Sequence, residues 1–204
     1  MIAIINYGLG NVKAFAQAYK KMNIRAIIAT QPDDLVNATK IILPGVGAFD
    51  RAMSLLERSG IRKTLEELVF NYGTPVLGIC VGMQILSLSS EEGTVPGLGW
   101  LDGVVKKFNF SSNIQNIYVP HMGWNSICPV KESGLLRKLD QGSRFYFLHS
   151  YYLHCNRDED AIALTDYGGY FVCAVNHKNI YGVQFHPEKS HHWGMQLLKN
   201  FAEL

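Results

Sequence analysis

Cys80 is the residue in this chain best placed by its neighbours to act as a nucleophile. It is the centre of Gly78-Ile79-Cys80-Val81-Gly82, after the apolar run Pro75 to Ile79 and before a stretch, Val81 to Ser89, that reads as a helix. A nucleophile on a sharp strand-to-helix turn needs small neighbours, because the backbone there is crowded and strained. The turn lifts the sulfur to the C-terminal edge of a sheet, where open α/β sheets bind ligands. The helix N-terminus beneath it favours a thiolate and offers the Val81 N–H to a developing oxyanion. Taken alone, the same residues also suit a tight turn around a buried thiol.

A base is offered by Gly182-Val183-Gln184-Phe185-His186-Pro187-Glu188. His186 ends an apolar strand, and Glu188 lies two residues on, so an extended backbone sends both side chains to one side. The carboxylate can hold the imidazole's tautomer while its other nitrogen faces Cys80. Pro187 stiffens the turn between them. Nucleophile and base need only meet in space, so their distance in sequence is no obstacle. Pro44-Gly45-Val46-Gly47-Ala48-Phe49 follows another strand. Its glycines let the main chain approach a ligand, and its N–H groups could form the other wall of an oxyanion hole.

Positioning these residues requires strands that end together. Ile2 to Asn6, Arg25 to Thr30, Lys40 to Leu43 and Pro75 to Ile79 read as strands. Between them, Val12, Phe15, Ala16, Tyr19 and Met22 mark one face of a helix. Asp50 is the expected N-cap of a helix to about Asn71, with Gly60 as its point of interruption. In the second half, Val104 to Phe110, Arg144 to Leu148, Ala161 to Thr165, Tyr170 to Asn176 and Ile180 to Phe185 are strand-like. Asn176-His177-Lys178-Asn179 suits a hairpin, and His191 to Leu204 a terminal helix. This predicts one α/β domain over residues 1–204, its largely parallel sheet extended by mixed or antiparallel strands.

Composition narrows the class. Apolar residues make up 48% and charged residues 18%, and the net charge is +2, so no nucleic acid or anionic membrane surface is indicated. No apolar run is long enough to cross a membrane and no signal-peptide pattern opens the chain, which predicts a cytoplasmic protein. Cys80, Cys128, Cys155 and Cys173 form no CxxC pair and are expected as free thiols. Gly8-Leu9-Gly10 lacks the third glycine of a dinucleotide fingerprint, since Lys13 stands there. His186, His191 and His192 suit no common metal geometry. His154 and His177 are expected in exposed loops.

The strings LGICVGMQ, PGVGAFD, LHSYY and GVQFHPEKS together resemble the triad class, class I, of glutamine amidotransferases. Within it, NYGLGNV, EEGTVPGLG and VPHMGWN are similar to the HisH branch, the glutaminase subunits of imidazole glycerol phosphate synthase. The resemblance spans essentially the whole chain. It implies a flavodoxin-like fold, with a mixed, mostly parallel sheet flanked by helices. It implies Cys80 as nucleophile, His186 as acid/base and Glu188 as its orienting partner. Gln84 and His149-Ser150-Tyr151 match substrate-binding positions, Gly45, Val46 and Gly47 the oxyanion-side loop, and His121-Met122-Gly123-Trp124-Asn125 a segment near the partner. The implied reaction hydrolyses glutamine to glutamate and ammonia, with no metal or organic cofactor, and hands the ammonia to a HisF-type (β/α)8 cyclase in a heterodimer serving histidine biosynthesis. Lys189-Ser190-His191-His192-Trp193-Gly194 and the run around Trp100 also resemble a branch whose HisF-like partner amidates nucleotide sugars or surface polysaccharide. The HMGWN-type segment argues against a γ-glutamyl peptidase, and the intact triad against a silent binding subunit.

Overall fold

The computed structural model describes residues 1–110 and 117–204. Its first half is a strand-helix alternation: β1 (Ile2–Ile5), α1 (Val12–Lys21), β2 (Ala26–Ala29), β3 (Lys40–Gly45), α2 (Phe49–Arg58), α3 (Arg62–Phe70), β4 (Val76–Cys80) and α4 (Val81–Gln84). β1 pairs in parallel with β2 and β3, and β3 in parallel with β4. β1 and β4 are buried at every position, so their apolar residues run without alternation.

The second half contributes β5 (Ser89–Ser90), β6 (Gly103–Lys107), β7 (His121–Ser126), β8 (Cys128–Pro129), β9 (Arg144–His149), β10 (Tyr151–Cys155), β11 (Ala161–Asp166), β12 (Tyr170–His177), β13 (Ile180–Val183) and α5 (His191–Glu203). The main sheet has the order β2-β1-β3-β4-β13-β12-β11-β8. It is parallel as far as β13 and antiparallel from β13 outward. The order of its parallel part is that of a flavodoxin-like sheet, as expected.

The strands of Val104 and Arg144 do not extend that sheet. β6 joins β5 and β10 in a three-stranded sheet, and β9 forms an antiparallel ladder with β7, with His121 opposite His149, and a single bridge from Tyr146 to His186. β6 also stops at Lys107, short of Phe110.

The expected long helix is two, α2 and α3, broken at Gly60, whose φ is +71°. Its N-cap is Ala48 rather than Asp50. The Asp50 carboxylate is committed elsewhere, accepting the N–H groups of Thr94 and Val95. The Phe49 N–H is taken instead by Glu92 Oε2, at 2.9 Å. The helix after Cys80 ends at Gln84, not Ser89. The carbonyls of Ile85, Leu86 and Ser87 accept N–H groups from Leu98, Trp100 and Gly99, so no further helical turn can form. The β12–β13 hairpin is as expected, pairing His177 with Ile180. His177 itself is half-buried at the strand end, 3.0 Å from Asp160 Oδ1, and His154 lies exposed within β10.

Candidate active site

Cys80 is the last residue of β4 and the cap of α4, with φ 55° and ψ −116°. A side chain in that region of backbone space is strained. The strain is held in place by close packing on both sides. A β-carbon on Gly78 would stand 2.7 Å from Met83 Cα, and one on Gly82 would overlap the carbonyl oxygen of Leu43. Only glycines fit, which accounts for the G-x-C-x-G spacing.

β13 runs parallel beside β4 and brings the base across. His186, 3% exposed, follows β13, and its backbone N–H donates to the Tyr146 carbonyl. Its Nδ1 lies 2.9 Å from Glu188 Oε1, both side chains almost wholly buried. Burial alone would push the imidazole below its ordinary value. Hydrogen bonds to Cys80 and Glu188, with the charges of both, outweigh burial and bring it up to about 10. The site therefore favours an imidazolium between the sulfur and the carboxylate. The other buried thiols differ: burial pushes Cys155 and Cys173 up to about 12, with the charge of Asp160 adding to the effect at Cys155. All four cysteines are free.

Cys80 opens into a cavity of about 390 Å³. Val46 and Gly47 line one wall, Val81 and Gln84 the floor beside the sulfur, and His149, Ser150 and Tyr151 the opposite wall. Gly45 is set back, its Cα paired across the sheet with Cys80. Val81 is the first residue of α4, so its N–H has no acceptor within the helix. Glu188 lies behind His186, outside the lining.

The five residues of the HMGWN segment divide between two faces of β7. Met122 and Trp124 are exposed, whereas His121 is 2% exposed and Asn125 half-buried. Among the described residues, no group of His, Cys, Asp and Glu is arranged to hold a metal ion.

Sequence reasoning missed Glu92, Lys189 and Gln184. The first two line the cavity. Gln184 is fully buried, with Nε2 3.7 Å from Cys80 Sγ and Oε1 3.0 Å from Gln84 Nε2. The period of a strand would have found it, since Gln184 stands two residues before His186. Glu92 carried no local signal, because it reaches the site from a turn tied down by Asp50.

A family model described as glutamine amidotransferase class-I matches residues 3–204. The chain belongs to that family. The HisH subunit of imidazole glycerol phosphate synthase from Leptospira interrogans is 55% identical, over 100% of both chains. The HisH subunit from Bdellovibrio bacteriovorus is 54% identical, again over 100% of both. A relative named HisH 2, from Pseudomonas aeruginosa, is 45% identical over the same full span. The resemblance read from the motifs thus extends over the whole amidotransferase chain. Among solved structures, PurLQS from Thermotoga maritima superposes with a TM-score of 0.74 at 16% identity, covering 99% of this chain and 97% of that one. Another, described as a glutamine amidotransferase, gives 0.69 at 17% identity, covering 100% and 99%. Those two likenesses establish the fold of the amidotransferase. No helix among its described residues is long and apolar enough to cross a membrane.

Proposed function

We propose that this amidotransferase is the glutaminase subunit of an imidazole glycerol phosphate synthase. It hydrolyses glutamine at Cys80 and passes ammonia to a HisF-type (β/α)8 cyclase, in the cytoplasm, where its thiols stay reduced. The observation that carries the reading is that Cys80 and His186 line one cavity of about 390 Å³, with His186 Nδ1 held 2.9 Å from Glu188 Oε1. The full-length relatives named for that subunit support the pathway.

The chemistry follows from the arrangement. The Cys80 thiolate attacks the side-chain amide carbon of glutamine, forming a C–S bond and placing negative charge on the amide oxygen. The N–H of Val81 and those of the Val46–Gly47 wall serve that charge. The His186 imidazolium gives its proton to the leaving nitrogen, the C–N bond breaks and ammonia departs. Neutral His186 then takes a proton from water, whose oxygen attacks the thioester, and glutamate is released as the sulfur recovers its electrons. Glu188 holds the ring so that one nitrogen always faces the sulfur. The Glu92 carboxylate and the free Gln84 Oε1 are acceptors for the substrate's ammonium, and Lys189 offers charge to its carboxylate. Met122 and Trp124, exposed on β7, face the cyclase.

The test is glutamine turnover by the chain alone and with a HisF-type subunit and its nucleotide substrate. Turnover is expected to be low alone and strongly raised by that partner, and absent in Cys80→Ala. Ammonia release that survives Cys80→Ala would overturn the glutaminase assignment. Stimulation only by a sugar-amidating partner would replace the acceptor and keep the glutaminase.

A further inference from the structure

A chain of hydrogen bonds links the far edge of β7 to the nucleophile, and from Asn125 to the Tyr151 carbonyl its polarity is fixed from both ends. At one end, Asn125 Nδ2 lies 2.8 Å from the Asp166 carbonyl, which can only accept, so the amide nitrogen is placed unambiguously. Asn125 Nδ2 also lies 3.3 Å from His121 Nε2. His121 Nδ1 lies 3.0 Å from His149 Nε2, and His149 Nδ1 lies 2.8 Å from the Tyr151 carbonyl. That carbonyl too can only accept, so His149 carries its proton on Nδ1 and accepts at Nε2. His121 must then donate from Nδ1 and accept at Nε2, which is what the Asn125 end independently requires. Both rings are neutral in this arrangement.

The chain does not stop at Tyr151. The same carbonyl accepts Gln84 Nε2 at 3.0 Å, whose second hydrogen goes to Gln184 Oε1 at 3.0 Å. Gln184 Nε2 reaches the Cys80 sulfur at 3.7 Å. With both its hydrogens committed, Gln84 presents only its oxygen to the cavity. The ring of His121 is clamped between Tyr167, 3.9 Å centroid to centroid, and Phe147, 4.7 Å. Burial holds both imidazoles neutral, His121 down to about 4 and His149 to about 3.

We infer that His121 is a positioning residue for the substrate cavity: its Nδ1–H anchors the His149 ring at Nε2, which keeps His149 Nδ1–H on the Tyr151 carbonyl and through it holds the orientation of Gln84. Without that donor the His149 ring loses its anchor at Nε2 and can turn its Nδ1–H off the Tyr151 carbonyl, which frees Gln84 to rotate. His121 thus acts inward, although it belongs to a segment whose exposed members, Met122 and Trp124, face solvent. The inference rests on the reading that the cavity takes glutamine.

The experiment uses 6-diazo-5-oxo-L-norleucine, a glutamine analogue that alkylates the nucleophile, so neither partner nor turnover is needed. His121→Phe keeps the aromatic clamp and removes both nitrogens. His121→Asn restores a donor at the Nδ1 position, and His121→Gln places its amide at the Nε2 position instead. The apparent inhibition constant is expected to rise about tenfold in His121→Phe and His121→Gln. His121→Asn is expected to recover most of the loss, a split that a packing role would not produce. Nitrogen-15 chemical shifts of His149 are expected to report Nδ1–H in a firm hydrogen bond in the unaltered chain and in His121→Asn, and a weakened Nδ1–H hydrogen bond in His121→Phe. An unchanged constant in His121→Phe, equal effects of Asn and Gln, or Nε2–H at His149 in the unaltered chain would each overturn the inference. Failure of the analogue to label unaltered Cys80 would instead count against the glutamine reading, and the nitrogen shifts would still decide the chain.

Discussion

Gly82 lies against the carbonyl of Leu43 so closely that a β-carbon on it would overlap the oxygen and stand 2.9 Å from the carbon. The contact joins the elbow to β3, the strand that carries the oxyanion-side loop. Gly82→Ala must push α4 and β3 apart, and both are packed in the core. A loss of at least ~2 kcal/mol is expected, within the range of overpacked core sites. Chemical denaturation reads the loss, and glutamine turnover should fall with it. A fully stable and active Gly82→Ala chain would show that the elbow does not pack this way.

The strain at Cys80 gives an unusual ordering of variants. Cys80→Ala and Cys80→Gly both remove the sulfur, so their difference isolates the backbone. Glycine in place of alanine ordinarily destabilises by ~0.5–1 kcal/mol. At φ 55° and ψ −116° the side-chain strain, ~1–3 kcal/mol, outweighs that cost. Cys80→Gly should therefore melt higher than Cys80→Ala, with both inactive. The reverse order would mean that the turn holds no strain.

Much of this site was legible in the sequence because its restraints are local. The elbow needs two glycines at fixed spacing, and His186 and Glu188 stand two residues apart, although they meet through a 3-10 turn at Pro187–Lys189 rather than along the expected extended backbone. The strands β1, β3 and β4 were legible for a similar reason, since buried strands are continuous apolar runs, whereas β13, expected in the mixed or antiparallel extension, runs parallel to β4. β7 was not legible. Its inward positions are His121, Gly123 and Asn125, polar or small because they face a polar chain, so the apolar alternation that marks a strand is absent. The length of α4 was hidden too, because the carbonyls just beyond it, of Ile85, Leu86 and Ser87, are claimed by residues 98 to 100, a tertiary fact with no local trace. Asp50 looked like a cap for the same reason: its real partners, Thr94 and Val95, are far along the chain.

Replacing the triad carboxylate by an amide separates charge from shape. In Glu188→Gln the side chain still fills its place, and an amide oxygen can still accept from His186 Nδ1. The charge that helps raise the imidazole to about 10 is gone. The imidazolium required to protonate departing ammonia becomes less favoured, and kcat should fall about a thousandfold with a much smaller change in KM. Near-normal kcat in Glu188→Gln would reduce Glu188 to a structural residue.

The buried imidazoles give the fold an acid limit that carboxylates alone would not. His121 and His149 are held neutral by burial, at about 4 and about 3, against an ordinary value of 6.5. Above pH 6.5 neither folded nor unfolded chain protonates them, and they do not affect the pH dependence. As pH falls below 6.5 the unfolded chain takes up these protons first, so stability is lost progressively down to the folded values. His186 behaves oppositely: its raised value contributes stability that is full below pH 6.5 and lost as pH climbs through about 10. His121→Phe removes one of the two acid-side groups and leaves His186 in place. Its stability, measured by denaturation from pH 7 to pH 4, should fall less steeply than that of the unaltered chain, while the alkaline limbs coincide. Parallel acid limbs would mean that His121 titrates alike in both states, and so is not held neutral between Asn125 and His149.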